Sequence, residues 1–176
     1  MQRVRRSLQQ FVSIPLALLF VCAALAAAPV GLLSLPAPDF VLPAASGNNV
    51  RLSEFRGQPV VLSFWSSRCS LCAAQLAALD RYYATYRSAG LIVLAVSVED
   101  DAQRALDYAR AHQGGYPLLL DRSKSVGRAF GIERLPTTVL IDRSGVVRYL
   151  HSNDRAGDPS YVTQIRALLD DRIGNP

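Results

Sequence analysis

Cysteine is scarce in this chain. Three occur among 176 residues, and one of them, Cys22, lies in an apolar N-terminal stretch. The remaining two cannot staple a small scaffold, so a disulfide-dense fold is excluded. Histidine is sparser still, with only His112 and His151, on separate predicted elements. A zinc site needs about four ligands, and Cys69 and Cys72 with two scattered histidines do not supply one. Positive charge is also thinner than the net +5 suggests. Arg3, Arg5 and Arg6 precede any acidic residue, and without them 16 basic residues face 14 acidic ones. No basic run survives beyond the N-terminus, which argues against nucleic acid as a partner. No internal repeat is visible.

What is present starts with a leader, residues 1–33. Its three arginines precede an apolar stretch from Phe11 to about Leu33, broken by Pro15 and Pro29. Ala24 and Ala26, or Ala26 and Ala28, fit a signal-peptidase cleavage pattern. The stretch also reaches the roughly 20 residues that span a bilayer, so it could remain as a membrane anchor with its arginines in the cytoplasm. Either outcome places the rest outside the cytoplasm, in a periplasm or its equivalent. Cys22 follows the bulky Phe20-Val21 and reads as a small apolar residue of the leader, not as a lipid attachment point. Residues 34–38 are Pro-rich and read as a linker. Residues 39–173 form one domain, long enough to bury a core.

Within that domain, Asp39–Leu42 and Asn49–Leu52 predict a hairpin around Ser46-Gly47-Asn48. Ser53–Gly57 predicts a one-turn cap. A buried strand over 59–65 leads into a helix over about 69–88, stopped at Gly90. Leu91–Val98 is continuously apolar, as in a strand covered on both faces. Asp100 or Asp101 can cap a helix over about 102–112, with Ala105, Leu106 and Ala109 on its inner stripe. Pro117–Leu120 predicts a short strand and Ser125–Phe130 a short helix. Val139–Ile141 and Val146–Leu150 pair across Asp142–Gly145, and a last helix over about 160–172 presents Val162, Ile165, Leu168 and Leu169. The fold class is α/β: a central mixed sheet with helices on both faces and an N-terminal hairpin.

The chemistry concentrates where the strand over 59–65 gives way to helix. Cys69 is predicted at the helix N-terminus, where unpaired backbone N–H groups and the positive dipole end favour an anion. A thiolate is such an anion, and it is the species that attacks disulfides. Cys72 lies one turn on, within reach to form or resolve the bond. Taken alone, the pair also allows a structural disulfide, although so short a loop constrains the unfolded chain least.

Phe64-Trp65-x-x-x-Cys69-x-x-Cys72 after a strand resembles the active-site segment of the thioredoxin superfamily, and Leu135-Pro136-Thr137-Thr138 resembles its cis-proline loop. Pro38-Asp39-Phe40, Leu52-x-x-Phe55-x-Gly57 and Asp142-x-x-Gly145-x-Val147 resemble the TlpA/ResA-like branch, membrane-tethered or secreted thioredoxins with an added hairpin. The resemblance covers residues 36–171. It implies a thiol–disulfide oxidoreductase in which Cys69 attacks, Cys72 is the buried resolving sulfur, and no cofactor is needed beyond the redox-active disulfide Cys69–Cys72. It further implies a cis bond before Pro136, a Leu135 backbone available to a substrate strand, and Trp65 shaping the surface beside Cys69. The implied partners are client protein thiols or disulfides and a membrane electron donor, in cytochrome c or metal-site maturation.

Several positions depart from that pattern. Arg68 stands where many relatives have tryptophan, Gln75 where many have glutamate, and Ala77 where many have proline. Ser63 occupies the position of thioredoxin's buried aspartate. The familiar acid/base partner of the buried cysteine is therefore missing at both matching positions. Arg68 is expected to favour the Cys69 thiolate and make the couple more oxidising, or else to be a solvated surface cation. Gln75 reads equally as an ordinary helix residue. His151 reads as a surface histidine without a partner, and Tyr82, Tyr83 and Tyr86 as core packing. Glu99-Asp100-Asp101 reads as a solvated turn and helix cap. Two other functions compete. One is a peroxiredoxin-like peroxidase, which lacks its P-x-x-x-T-x-x-C pattern at Ser66-Ser67-Arg68. The other is a Cu(I)-binding assembly module using the two sulfurs.

Overall fold

A computed structural model describes residues 31–112, 114–152 and 158–170. The leader of residues 1–33 lies almost wholly outside the described residues, as do Cys22 and the last few residues assigned to the domain. Strands β1 (Val41–Pro43) and β2 (Asn49–Arg51) form the hairpin, and a 3-10 turn follows over Leu52–Phe55. Asp39 ties that turn down by accepting from the Ser53 N–H and hydroxyl, both at 2.9 Å. Next come β3 (Val60–Trp65), α1 (Cys72–Tyr86), β4 (Ile92–Ser97), α2 (Ala102–His112) and β5 (Leu118–Leu120). The chain continues through α3 (Ser125–Ala129), β6 (Thr137–Ile141), β7 (Val147–Ser152) and α4 (Pro159–Asp170). The predicted order of elements is observed, with ends moved by a few residues. Asp101 is the acid that caps α2, accepting from the Arg104 N–H at 3.2 Å. Among the described residues no helix is long and apolar enough to cross a membrane.

The main sheet runs β5-β4-β3-β6-β7. β3 is parallel to β4, which is parallel to β5, while β6 is antiparallel to both β3 and β7. β3 is therefore central and wholly buried, which is why its sequence is almost continuously apolar. Its residues still alternate between two cores. Val61 and Trp65 face a cluster built with α1, α2 and α4, whereas Leu62 and Phe64 face one built with α3 and the N-terminal hairpin. Helices on both faces were expected from the sequence, and the observed sheet bears this out.

Both sheet edges are partly covered, which limits unpaired backbone. The hairpin reaches β5 through the Ala45 N–H on the Leu118 carbonyl. At the other edge, residues 34–37, expected as a linker, are instead docked. The Ser34 N–H donates to the Val147 carbonyl, the Val147 N–H to Leu35, and the Ala37 N–H to Gly145. Turn residues 142–145 lie at the end of the sheet remote from Trp65, because Ile141 pairs with Val60. Asp142 organises this turn: its Oδ1 accepts from the Ser144 N–H and hydroxyl and the Val146 N–H, and its Oδ2 from Arg148. Gly145 sits at φ +85, a left-handed conformation that side chains disfavour. Gly90 at φ +93 ends the 3-10 turn after α1 in the same way, as its sequence position predicts.

Three rings join α3 to the hairpin and to β3. Phe130 packs edge-on against Phe40 at 6.2 Å and at a tilt against Phe64 at 5.4 Å. We expect Phe130→Ala to destabilise the domain by about 3–5 kcal/mol, the usual cost of emptying a buried phenylalanine site. Chemical denaturation followed by circular dichroism measures this, and hydrogen exchange should show hairpin residues 39–52 losing protection first.

Candidate active site

β3 delivers the chain to one end of the sheet, and the six residues Ser66–Leu71 turn it into α1. Cys69 and Cys72 are joined as a disulfide across this turn, with their Cα atoms 5.3 Å apart. Cys72 is fully buried in the cluster under α1, whereas Cys69 is half-buried at its edge. Helix α1 begins at Cys72, not at Cys69 as expected. The Cys69 N–H donates to the Ser66 carbonyl and the Cys72 N–H to the Cys69 carbonyl, both at 3.1 Å. The first cysteine thus belongs to a tight turn ahead of the helix, and both backbone amides are already spent within that turn.

Trp65 was expected partly in the core and partly at the surface beside Cys69, and the structure bears out the first and corrects the second. It is fully buried, because strand alternation puts it on the same core-facing side as Val61 and Ser63. Its ring stacks on Tyr108 of α2 at 5.4 Å, and its indole N–H has no hydrogen-bond partner among the described residues. The surface beside Cys69 belongs to other residues. Arg68 is exposed, with the Asp100 carboxylate 3.9 Å away, and Leu71, next to Cys72, is also exposed. A surface pair this open contributes little to stability.

Gln75 is not a plain surface helix residue. One turn after Cys72 on the same face of α1, it is buried and donates through Nε2 to Thr138 Oγ1 at 2.9 Å. Thr138 Oγ1 also pairs with Ser63 Oγ at 3.0 Å. The two positions lacking the familiar carboxylate therefore meet at one threonine, in a buried neutral chain that starts one turn of α1 after Cys72. The Gln75 amide oxygen, Oε1, has no hydrogen-bond partner among the described residues.

The acidic run after β4 is the largest departure from expectation. Asp100 and Asp101 are exposed, but Glu99 is only 4% exposed. Its Oε1 accepts from Ser66 Oγ at 2.8 Å, the Ser67 N–H at 2.7 Å and Ser67 Oγ at 2.5 Å. Its Oε2 faces the Arg104 guanidinium at 4.0 Å. Burial alone would raise its pKa. The bonds from the Ser67 and Ser66 hydroxyls and the Ser67 N–H, with the nearby Arg68 cation, outweigh burial and hold it below the ordinary 4.5. The sequence signal was the position: an acid directly after a strand buried on both faces has little solvent to reach.

Leu135 and Pro136 lie just ahead of β6, and the peptide bond between them is cis, as the resemblance implied. Pro136 is buried, and Leu135 packs against both cores, including the one that holds Cys69 and Cys72. Leu135 also lines a cleft of about 250 Å³ with Val98, Gly127 and Ile132, with Lys124 and Arg128 among its charged lining. His151 on β7 is in register with Thr138 and His112 on α2 stacks on Tyr108, and among the described residues neither joins the two cysteines in a metal-ligand group. His151 is not partnerless, since its Nε2 lies 2.6 Å from Gln164 Oε1 and its ring stacks on Tyr161 at 4.1 Å. Tyr82 is buried and also stacks on Tyr161, at 5.9 Å, as core packing requires.

With this geometry in view, comparison with known proteins is decisive on ancestry. The AhpC/TSA family model matches residues 33–150. The chain belongs to the AhpC/TSA family. Within this family setting it is 36% identical to thiol-disulfide oxidoreductase ResA of Geobacillus thermodenitrificans over 64% of each chain. It therefore spans a little under two thirds of that relative's length. A solved structure assigned as thiol:disulfide interchange protein DsbE from Chlorobium tepidum superposes with a TM-score of 0.73 at 32% identity. That match covers 76% of this chain and 95% of the other. The exposed lipoprotein thioredoxin Etrx1 of Streptococcus pneumoniae matches at 27% identity with a TM-score of 0.65, over 74% of this AhpC/TSA-family chain and all of that one. The thioredoxin-like, ResA-like resemblance seen in the motifs is borne out by these relatives.

The Glu99 carboxylate has a defined pH signature. Its pKa is depressed on folding, so its stabilisation is present above the ordinary value of 4.5 and is lost as pH falls through the lower folded value. Denaturation at about pH 6 and about pH 3 should show a smaller loss of stability for Glu99→Gln than for wild type. At the higher pH the variant should be less stable by roughly 1.5–3 kcal/mol, the range for hydrogen bonds to a charged group.

Proposed function

We propose that this chain is an extracytoplasmic thiol–disulfide oxidoreductase that reduces disulfides of client proteins. The observation carrying this reading is the asymmetry of the Cys69–Cys72 pair, one sulfur half-buried at the turn and its partner sealed in the core. In the reduced protein, the Cys69 thiolate attacks a client disulfide. One client sulfur leaves as a thiol after taking a proton, and a Cys69–client mixed disulfide forms. Cys72 then attacks Cys69 Sγ, closes the intramolecular disulfide and releases the second client thiol. Two electrons and two protons pass to the client, and the sulfurs alone carry them without a bound cofactor. A membrane electron donor restores the dithiol.

Leu135 offers its backbone to an extended client segment, with Pro136 beside it and the cleft shared by Leu135 and Val98 accepting a client side chain. Residues 1–33 export or anchor the domain, in keeping with three arginines before a long apolar stretch. Clients in cytochrome c or metal-site maturation follow from the resemblance to the ResA-like branch. Arg68 was expected to make the couple more oxidising. The Asp100 carboxylate beside its cation moderates that effect and favours the reductase direction.

Insulin reduction with dithiothreitol as electron source, run beside a peroxide-consumption assay, tests this function. Wild type should accelerate insulin precipitation, and Cys69→Ser should return it to the uncatalysed background. Cys72→Ser should accumulate a mixed disulfide visible by mass spectrometry. Peroxide turnover without insulin reduction would instead assign the peroxidase. Stoichiometric Cu(I) uptake by the reduced domain without either activity would assign the metal-assembly role.

A further inference from the structure

The oxidoreductase reading leaves Glu99 without a task, yet this carboxylate is built into the turn that bears the attacking sulfur. It sits two residues past the end of β4 and reaches across to the chain leaving β3. One oxygen gathers three hydrogen bonds from Ser66 and Ser67. Those residues pass the constraint on, since Ser66 Oγ accepts from the Arg68 N–H at 3.2 Å and the Ser66 carbonyl from the Cys69 N–H at 3.1 Å. Every residue from Ser66 to Cys69 is thereby tied, directly or through one neighbour, to a single buried anion. Resting on the reading above, we propose that Glu99 is a positioning residue for Cys69, fixing the turn and placing a permanent negative charge beside it that favours the disulfide over the dithiol.

The physical logic is a balance of charges. Reduction that leaves Cys69 as the attacking thiolate places negative charge on it, and a fixed anion nearby opposes that. Arg68, on the turn itself, works the other way, but its cation also faces Asp100. Arg104 of α2 lies against the free oxygen of Glu99 and also pairs with Asp101 at 3.7 Å. Lys124, ahead of α3, bears on Asp100. Of these groups Glu99 alone is buried, so its field is the least screened by water and salt. A couple biased toward its disulfide is a stronger reductant, which suits a protein that hands electrons to clients.

Equilibration of the full domain with reduced and oxidised glutathione tests this. In that exchange two glutathione thiols reduce the protein disulfide and yield one glutathione disulfide. For Glu99→Gln, checked for folding by circular dichroism at neutral pH, the constant should move toward the dithiol by about tenfold, matching about one unit in the Cys69 titration. Arg104→Ala, on an exposed helix face, should leave Glu99 less compensated and shift the constant the opposite way. A purely structural role would produce no such opposition of sign. An unchanged constant and titration in Glu99→Gln overturns the proposal, as does a shift of like sign in both variants. Should Glu99→Gln not fold, Arg104→Ala decides alone: a move toward the disulfide supports the proposal and no move overturns it. Wild-type insulin reduction, run in parallel, separates these outcomes from failure of the oxidoreductase reading, in which wild type itself would be inactive.

Discussion

β3 is hydrogen-bonded on both edges and covered on both faces, so none of its residues from Val60 to Trp65 reaches solvent. That constraint shapes the whole site. Strand alternation forces Trp65 into the core between α1 and α2, and the chain emerges only at Ser66. It must then turn back within a few residues, because Leu76 and Leu79 of α1 have to cover the same face of the sheet. The two sulfurs sit at that reversal, one where the chain is outermost and one where it re-enters. Unequal exposure of the pair is therefore a product of sheet burial, not a separate device.

The polar groups around the sulfurs divide in a way that follows from this placement. On the buried side of α1, one turn after Cys72, the chain uses uncharged groups: Ser63, Thr138 and Gln75. An ion there would carry a heavy desolvation cost. At the turn beside Cys69, a carboxylate is tolerated because three donors converge on one of its oxygens and a guanidinium faces the other. Charge is thus held on the side of the half-buried Cys69 and kept away from the buried Cys72.

Much of this was legible in the sequence, for identifiable reasons. Continuous apolar runs at 59–65 and 91–98 reported double-sided sheet burial, and glycines at 90 and 145 marked the left-handed turns. The cysteine spacing and the Leu135-Pro136-Thr137-Thr138 segment located the site's main chain. What escaped was set by contacts between distant elements. Glu99 looked like its solvated neighbours because nothing local says that Ser66 and Ser67 wait across the sheet end. Trp65 was assigned partly to the surface because its strand was known but its side was not. Gln75 gained significance only through Thr138, 63 residues away. The docked course of residues 34–37 was hidden for a similar reason, since prolines suit both a free linker and an edge strand.

That docked segment fixes the direction from which any tether arrives. Ser34 to Ala37 lie along Val147 and the Asp142–Gly145 turn, at the Val60 pole of the sheet, while Trp65 leads to the cysteines at the other. Six residues of strand, roughly 20 Å, separate the two poles. The chain therefore enters the described domain at its base, and the sulfur pair stands on the crown, a full strand length from the point of entry. Anything that held the molecule at Ser34 would leave that crown open on the side facing away from the attachment.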